Sequence, residues 1–242
     1  MTQLLISVKN IEEAKIALEA SVDIIDLKDP NLGALGALDL VSTRKIVRLV
    51  YGHSLISATV GELHTNIDEL VADIQLRANA GVDIVKVAVS AFFYQANFYD
   101  AITQLTKAGV KIVVVFFADE EINLNLLPAL KNAGVYGAML DTKNKHKNLL
   151  QVQHQQALHF FTQQCHQYQL KSGLAGSLQP QHIDQLVETN PIYIGFRGGV
   201  CDSSQRKSAL NQAKVHEVID MLRNGNRNST KAQLILGLAL HT

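Results

Sequence analysis

The chain has 242 residues, 47% of them hydrophobic and 18% charged, which suits one large domain with a sizeable core. Its 22 basic residues balance 22 acidic ones, so no global field favours nucleic acid or an anionic membrane surface, though a small anion can still meet a local lysine cluster. Two cysteines, Cys165 and Cys201, are too few for a disulfide framework and point to reduced thiols in a cytoplasmic protein; the short N-terminal apolar run fits neither a signal peptide nor a membrane span.

Apolar, strand-like runs are predicted at 3–8, 22–28, 54–60, 83–89, 111–117, 135–141, 170–176 and 191–197. Amphipathic segments separate them: Ile11 to Ala20 turns Ala14, Ala17 and Leu18 to one side, and Asn66 to Ala80 does the same with Ile67, Leu70, Val71, Ile74 and Ala78. Gly81, Gly109 and Gly134 follow three such segments as C-terminal stops. The stretch Asn148 to Gln169, rich in Gln and His, reads as a solvated helix, and Arg223 to Ser229 as a polar loop. The apolar run Ala232 to Leu240 then calls for burial against the rest of the domain or against another copy, so a homo-oligomer is expected.

Eight β–α units in 242 residues match a closed (β/α)8 barrel, typically about 250 residues long. An open doubly wound sheet would carry a glycine-rich turn after its first strand, and Val8-Lys9-Asn10-Ile11 has no glycine. The expectation is one TIM-barrel domain over 1–242, with 230–242 an apolar extension.

Such a barrel puts its chemistry at the C-terminal strand ends, where this chain places charges. Asp26 and Lys28 share a strand face with Ile24, Ser57 and Thr59 share one with Gly61, Lys86 ends the fourth run, Asp141 the sixth and Arg197 the eighth. Lys145, four residues past Asp141, can fold over the same mouth. Ammonium groups gathered there repel one another and burial disfavours their charge, so one lysine should become a neutral nucleophile able to form a Schiff base, with Asp26 moving protons. A structural ion pair is the plainer alternative. The loops after strands 7 and 8 supply Gly176 and Ser177, and Gly198 and Gly199, whose backbone amides suit a phosphate, with Arg197 as a charged clamp. The nine histidines form no metal-ligand pattern, Cys201 reads as a packed thiol, and Lys143 to Lys147 as a solvated loop apart from Lys145.

Six ordered motifs carry a family resemblance: Asp26-Leu27-Lys28-Asp29-Pro30 with Gly33 and Leu35-Gly36-Ala37, Ser57-Ala58-Thr59-Val60-Gly61, Val85-Lys86-Val87, Ala138-Met139-Leu140-Asp141-Thr142, Leu174-Ala175-Gly176-Ser177 and Gly195-Phe196-Arg197-Gly198. From about residue 3 to 223 the chain resembles the (5-formylfuran-3-yl)methyl phosphate synthases of methanofuran biosynthesis. The resemblance implies a barrel lyase that condenses two molecules of D-glyceraldehyde 3-phosphate and releases one phosphate and two waters, without metal or organic cofactor. It makes Lys28 similar to the family's Schiff-base lysine and Lys86 to its proton acceptor, and puts Asp26, Asp141 and Lys145 on positions the family uses. An enamine attack on the aldehyde of the second triose is the chemistry this suggests. The segments Ser90 to Tyr94 and Ala118 to Asn125 and the tail after Thr230 depart from the pattern. An ordinary class I aldolase and a non-catalytic sugar-phosphate-binding barrel are the alternatives.

Overall fold

Strands with apolar side chains on both faces leave no surface for water, and the chain meets that demand by closing its sheet. The computed structural model describes residues 1–239, with side chains described through residue 229. Eight parallel strands, β1 (Gln3–Val8), β2 (Ile24–Leu27), β3 (Leu55–Thr59), β4 (Ile84–Ala88), β5 (Lys111–Phe117), β6 (Gly137–Asp141), β7 (Lys171–Leu174) and β8 (Tyr193–Phe196), form a closed barrel in sequence order. Pairing of β1 with β8 completes it. Every predicted strand is present, each within two or three residues of its expected ends.

Alternation sorts the side chains as expected. Leu5, Ile24, Ile84, Val113 and Met139 fill the lumen, while Leu4, Ile25, Ile56, Val85 and Val114 face the surrounding helices. Those helices include α1 (Ile11–Glu19), α2 (Leu40–Val50), α3 (Ile67–Asn79), α4 (Ala96–Lys107) and α5 (Leu127–Asn132). Asn10, Asp39 and Asn66 cap α1, α2 and α3 by accepting from Glu13 N, Ser42 N and Glu69 N. Gly81 and Gly134 end α3 and α5 at φ +92° and +77°, a conformation that other residues adopt only at a cost.

Two local readings are corrected. The stretch 148–169 is not a single solvated helix: it divides into α6 (Leu149–Val152) and α7 (Gln155–Gln167), and α7 buries Leu158, Phe161 and Cys165. Its Gln and His residues occupy mainly the outer face of an amphipathic helix. The segment 223–229 is not a loop, since α9 (Gln212–Ala239) runs through it. Gly225 there lets α9 approach α8 (Ile183–Val187): a Cβ at this position would lie 3.2 Å from Asp184 Oδ1. Asn226 accepts from Thr2 N at 2.8 Å and donates to Thr2 O at 2.9 Å, so a residue expected to be solvated anchors the start of β1. Burial of the apolar tail from 230 onward lies outside the described residues. Among the described residues, no helix is long and apolar enough to cross a membrane.

Register places the polar residues of the upper lumen. Ser7 of β1 stands opposite Asp26 of β2, Asp26 opposite Ser57 of β3, and Thr59 opposite Lys86 of β4. Below them Tyr193 fills the lumen beside Gly173, where a Cβ would come within 2.3 Å of the ring. Gly173→Ala is expected to lower stability by about 1–3 kcal/mol through overpacking, read as a lower urea midpoint at unchanged m-value. An unshifted midpoint would show that the floor of the barrel has slack.

Candidate active site

Asp26 is fully buried, and register supplies its partners. Ser57 Oγ donates to Oδ1 and Ser7 Oγ to Oδ2, each at 2.7 Å, and Lys86 Nζ lies 2.7 Å from Oδ1. Burial pushes this carboxyl up, but the Lys86 and Lys28 charges together with the hydrogen bonds outweigh it and hold Asp26 below its ordinary value. The result is a bound carboxylate at the centre of the lumen.

Lys28 leaves β2 two residues later and is buried in turn. Its nearest carboxylate is Asp141, with 3.5 Å from Nζ to Oδ2. Asp141 is shared: Oδ1 accepts from Thr142 N and from Lys145 Nζ, both at 2.7 Å, and Lys145 also donates to the Thr142 carbonyl. Burial pushes the Lys28 ammonium down most strongly; Asp141 opposes this, Lys145 and Lys86 add to it, and the pKa falls to about 8. At Asp141 burial acts upward, but Lys145 and Lys28 outweigh it and bring the carboxyl to about 2. Lys28 therefore gives up its proton more readily than an ordinary lysine does.

A cavity of about 720 Å³ opens above this layer, lined in part by Lys28, Lys86, Asp141, Lys145, Gly176 and Ser177. That volume lies within the usual range for small-molecule sites. Gly198 also lines it, while Asp26 and Ser57 lie outside its lining, Asp26 connected to it through Lys86 and Ser57 through Asp26. Ser177 Oγ donates to the Lys145 carbonyl at 3.3 Å, joining the loops after β6 and β7.

Three expected site residues turn out to be occupied elsewhere. The Thr59 hydroxyl donates to Gly36 O at 2.9 Å and tethers the loop after β2. Gly199 packs against backbone, since a Cβ there would lie 2.3 Å from Leu178 O. Arg197 borders the cavity but is not a free phosphate clamp: Nε donates to Arg206 O, Nη1 to Ser7 O and Glu13 Oε2, and Nη2 to Glu13 Oε1 and Ser208 O. All five guanidinium donors are thereby used. Cys201 is a packed thiol, its pKa pushed up to about 11 chiefly by burial, with Sγ on Arg197 O. Among the described residues no group of three or more His, Cys, Asp or Glu is arranged to hold a metal ion.

Three residues at the site escaped the sequence reading. Ser7 was accessible to it, because alternation puts Ser7 on the inner face with Leu5. Glu13 sits in the first turn of α1, where a carboxylate ordinarily faces water, and Arg206 lies in an irregular loop with no periodicity to interpret.

Comparison with known proteins gives this geometry a lineage. The family model described as 4-HFC-P synthase matches residues 4–219. The chain belongs to that synthase family. The (5-formylfuran-3-yl)methyl phosphate synthase of Methanosarcina acetivorans is 32% identical over 229 residues, covering 90% of this chain and 97% of its own. A Methylorubrum extorquens protein provisionally named as the same synthase is 38% identical over 226 residues, covering 93% of both chains. Among solved structures, 3-hexulose-6-phosphate synthase from Salmonella typhimurium superposes with a TM-score of 0.67 at 15% identity, covering 93% of this chain and 100% of its own, a likeness of fold.

Breaking the Glu13–Arg197 pair from one side leaves a buried charge without its partner. Glu13→Ala is expected to cost about 3–5 kcal/mol of stability, and adding Arg197→Met to recover part of it, measured as a double-mutant cycle in urea. Strict additivity of the two changes would contradict the pairing.

Proposed function

We propose that the chain condenses two molecules of D-glyceraldehyde 3-phosphate into (5-formylfuran-3-yl)methyl phosphate through an imine on Lys28, in the synthesis of a methanofuran-type cofactor. The reading is carried by one observation: a buried lysine, Lys28, stands at a cavity with its nearest carboxylate 3.5 Å away, while Lys86 and Lys145 beside it are each held on a carboxylate at 2.7 Å. Kinship with the synthases named above supports the product.

The atoms balance without a redox partner. Two molecules of C3H7O6P equal C6H7O6P plus H3PO4 plus two H2O. The Lys28 amine adds to the aldehyde of one triose and releases the first water. Lys86 hands its own proton to Asp26, 2.7 Å away, as it takes the one from the adjacent carbon, giving an enamine. Keeping both three-carbon chains intact in the product requires the new bond to join this carbon to C3 of the second triose, the carbon that loses phosphate, rather than to its aldehyde. Loss of the C2 proton together with that phosphate turns the second triose into an enal whose C3 is electrophilic, and Lys145, held on Asp141, donates to the departing phosphate oxygens. The C2 hydroxyl of the second triose then closes the ring on the imine carbon and the amine leaves. Loss of the other hydroxyl as the second water completes the furan.

Borohydride added with glyceraldehyde 3-phosphate should fix a triose adduct on Lys28, seen by peptide mass. Lys28→Arg keeps the charge but forms no imine, and turnover should fall on the order of a thousandfold or more. Near-normal turnover by this folded variant would remove Lys28 from its role. The reaction of the free enzyme should rise with pH along a limb centred near 8, because burial holds Lys28 there and its neutral form reacts. Ultraviolet absorption of a furan, together with released phosphate, separates this reading from an aldolase that stops at the carbon–carbon bond and from a barrel that only binds.

A further inference from the structure

The proposed reaction brings two phosphate dianions into one cavity, yet the products keep only one of them on carbon. The loop after β7 supplies one anion station. Gly176 and Ser177 turn there at φ +119° and +48°, and their backbone amides make no hydrogen bond among the described residues. This station adjoins Lys145, whose carbonyl receives the Ser177 hydroxyl.

A second dianion needs a cation that is not already engaged. Lys86 is held by Asp26, Lys145 by Asp141, and Arg197 by Glu13 and three carbonyls. Lys28 is the nucleophile. Lys207 also lines the cavity without an ion pair among the described residues, but it is exposed and its ammonium stays in water. Arg206 differs from all of these. It lines the cavity, is partly buried, and forms no ion pair among the described residues; its one side-chain hydrogen bond among them is from Nη2 to Gly33 O at 2.6 Å. Burial pushes the guanidinium down; Asp141 opposes this, Arg197 adds to it, and Glu62 and Asp29 oppose it. The bond to Gly33 carries the side chain from the loop after β8 to the loop that begins just after Lys28, three strands round the barrel from β7.

The segment presenting Arg206 is firmly held. Cys201 and Leu210 form an antiparallel bridge at its base, and Ser203 and Ser204 fold back at φ +50° and +54°. Arg197 grips the carbonyls of Arg206 and Ser208, and Lys214 grips Cys201 O and Ser204 Oγ. Two successive left-handed serines are costly, and such strain is commonly retained where a side chain must be aimed.

From this geometry we infer that Arg206 anchors the phosphate which the imine-bound triose keeps, while the Gly176–Ser177 station holds the phosphate that leaves. Arg197 is then a positioning residue, acting through the backbone it grips. The inference rests on the imine reading above and extends it by giving each phosphate its own site.

Borohydride trapping on Lys28 tests it with two probes, D-glyceraldehyde 3-phosphate and unphosphorylated D-glyceraldehyde. In the wild type the phosphate should lower the concentration for half-maximal trapping. Arg206→Gln should raise that concentration about 10- to 100-fold for the phosphorylated probe, the loss expected of charge-assisted hydrogen bonds, and leave the unphosphorylated probe unchanged. Arg206→Lys should fall between, keeping the charge without the fork. An unchanged value for the phosphorylated probe, or a parallel shift of both probes, overturns the role, because a merely structural bridge to Gly33 would move both alike. Absence of any adduct in the wild type instead sinks the imine reading itself.

Discussion

The ion pair between Lys86 and Asp26 is the constraint on which the site depends. A carboxylate with no exposure stays ionised only where cations and hydroxyls surround it, and here the parallel register delivers Ser7 and Ser57 from the two neighbouring strands. With Lys86 held at 2.7 Å on Asp26, the remaining lysine of the lumen, Lys28, faces a carboxylate at 3.5 Å that already serves Lys145. Two lysines two strands apart thus acquire different surroundings from their distances to two acids.

The fold bears the cost of this asymmetry, and its sign can be worked out. Lys28 has a folded pKa of about 8 against an ordinary 10.5, so its charged form is disfavoured by folding. The resulting loss of stability is full below pH 8 and disappears as pH rises towards 10.5. Asp141 works the other way: its contribution is present above an ordinary carboxyl pKa and fades as pH falls towards 2. Near neutrality one group therefore strains the fold while its neighbour supports it. The apolar layers of Ile24, Ile84, Val113 and Met139 beneath them keep the lumen packed throughout.

Much of this was legible because strand alternation and the β–α repeat are local signals. The run ending at Asp26-Leu27-Lys28 had only one register that left Ile25 and Leu27 facing helices, and that register sends both charges inward. Long-range pairing was not legible. Arg197 looked like a clamp because it ends a strand beside two glycines, yet its partner Glu13 lies 184 positions away, in a helix turn where acids usually meet solvent. Gly225 and Asn226 misled in the same way: residues common in turns serve here in a helix that packs closely on α8 and anchors β1. Composition reported their polarity without reporting what they touch.

In the proposed reaction, phosphate binding and amine nucleophilicity conflict within one cavity, and on that reading the position of the remaining cations acquires its meaning. A dianion brought near Lys28 favours the ammonium and would raise the lowered pKa that makes imine formation feasible. The conflict eases when each phosphate meets compensating charge of its own at some distance from the amine. The backbone turn after β7 and a guanidinium reaching from the loop after β8 are placed to do this, and neither takes a carboxylate away from Lys86 or Lys145. Buried glutamate on Arg197 follows from the same requirement: by holding that arginine as scaffold, Glu13 keeps the arm that carries Arg206 at a constant reach.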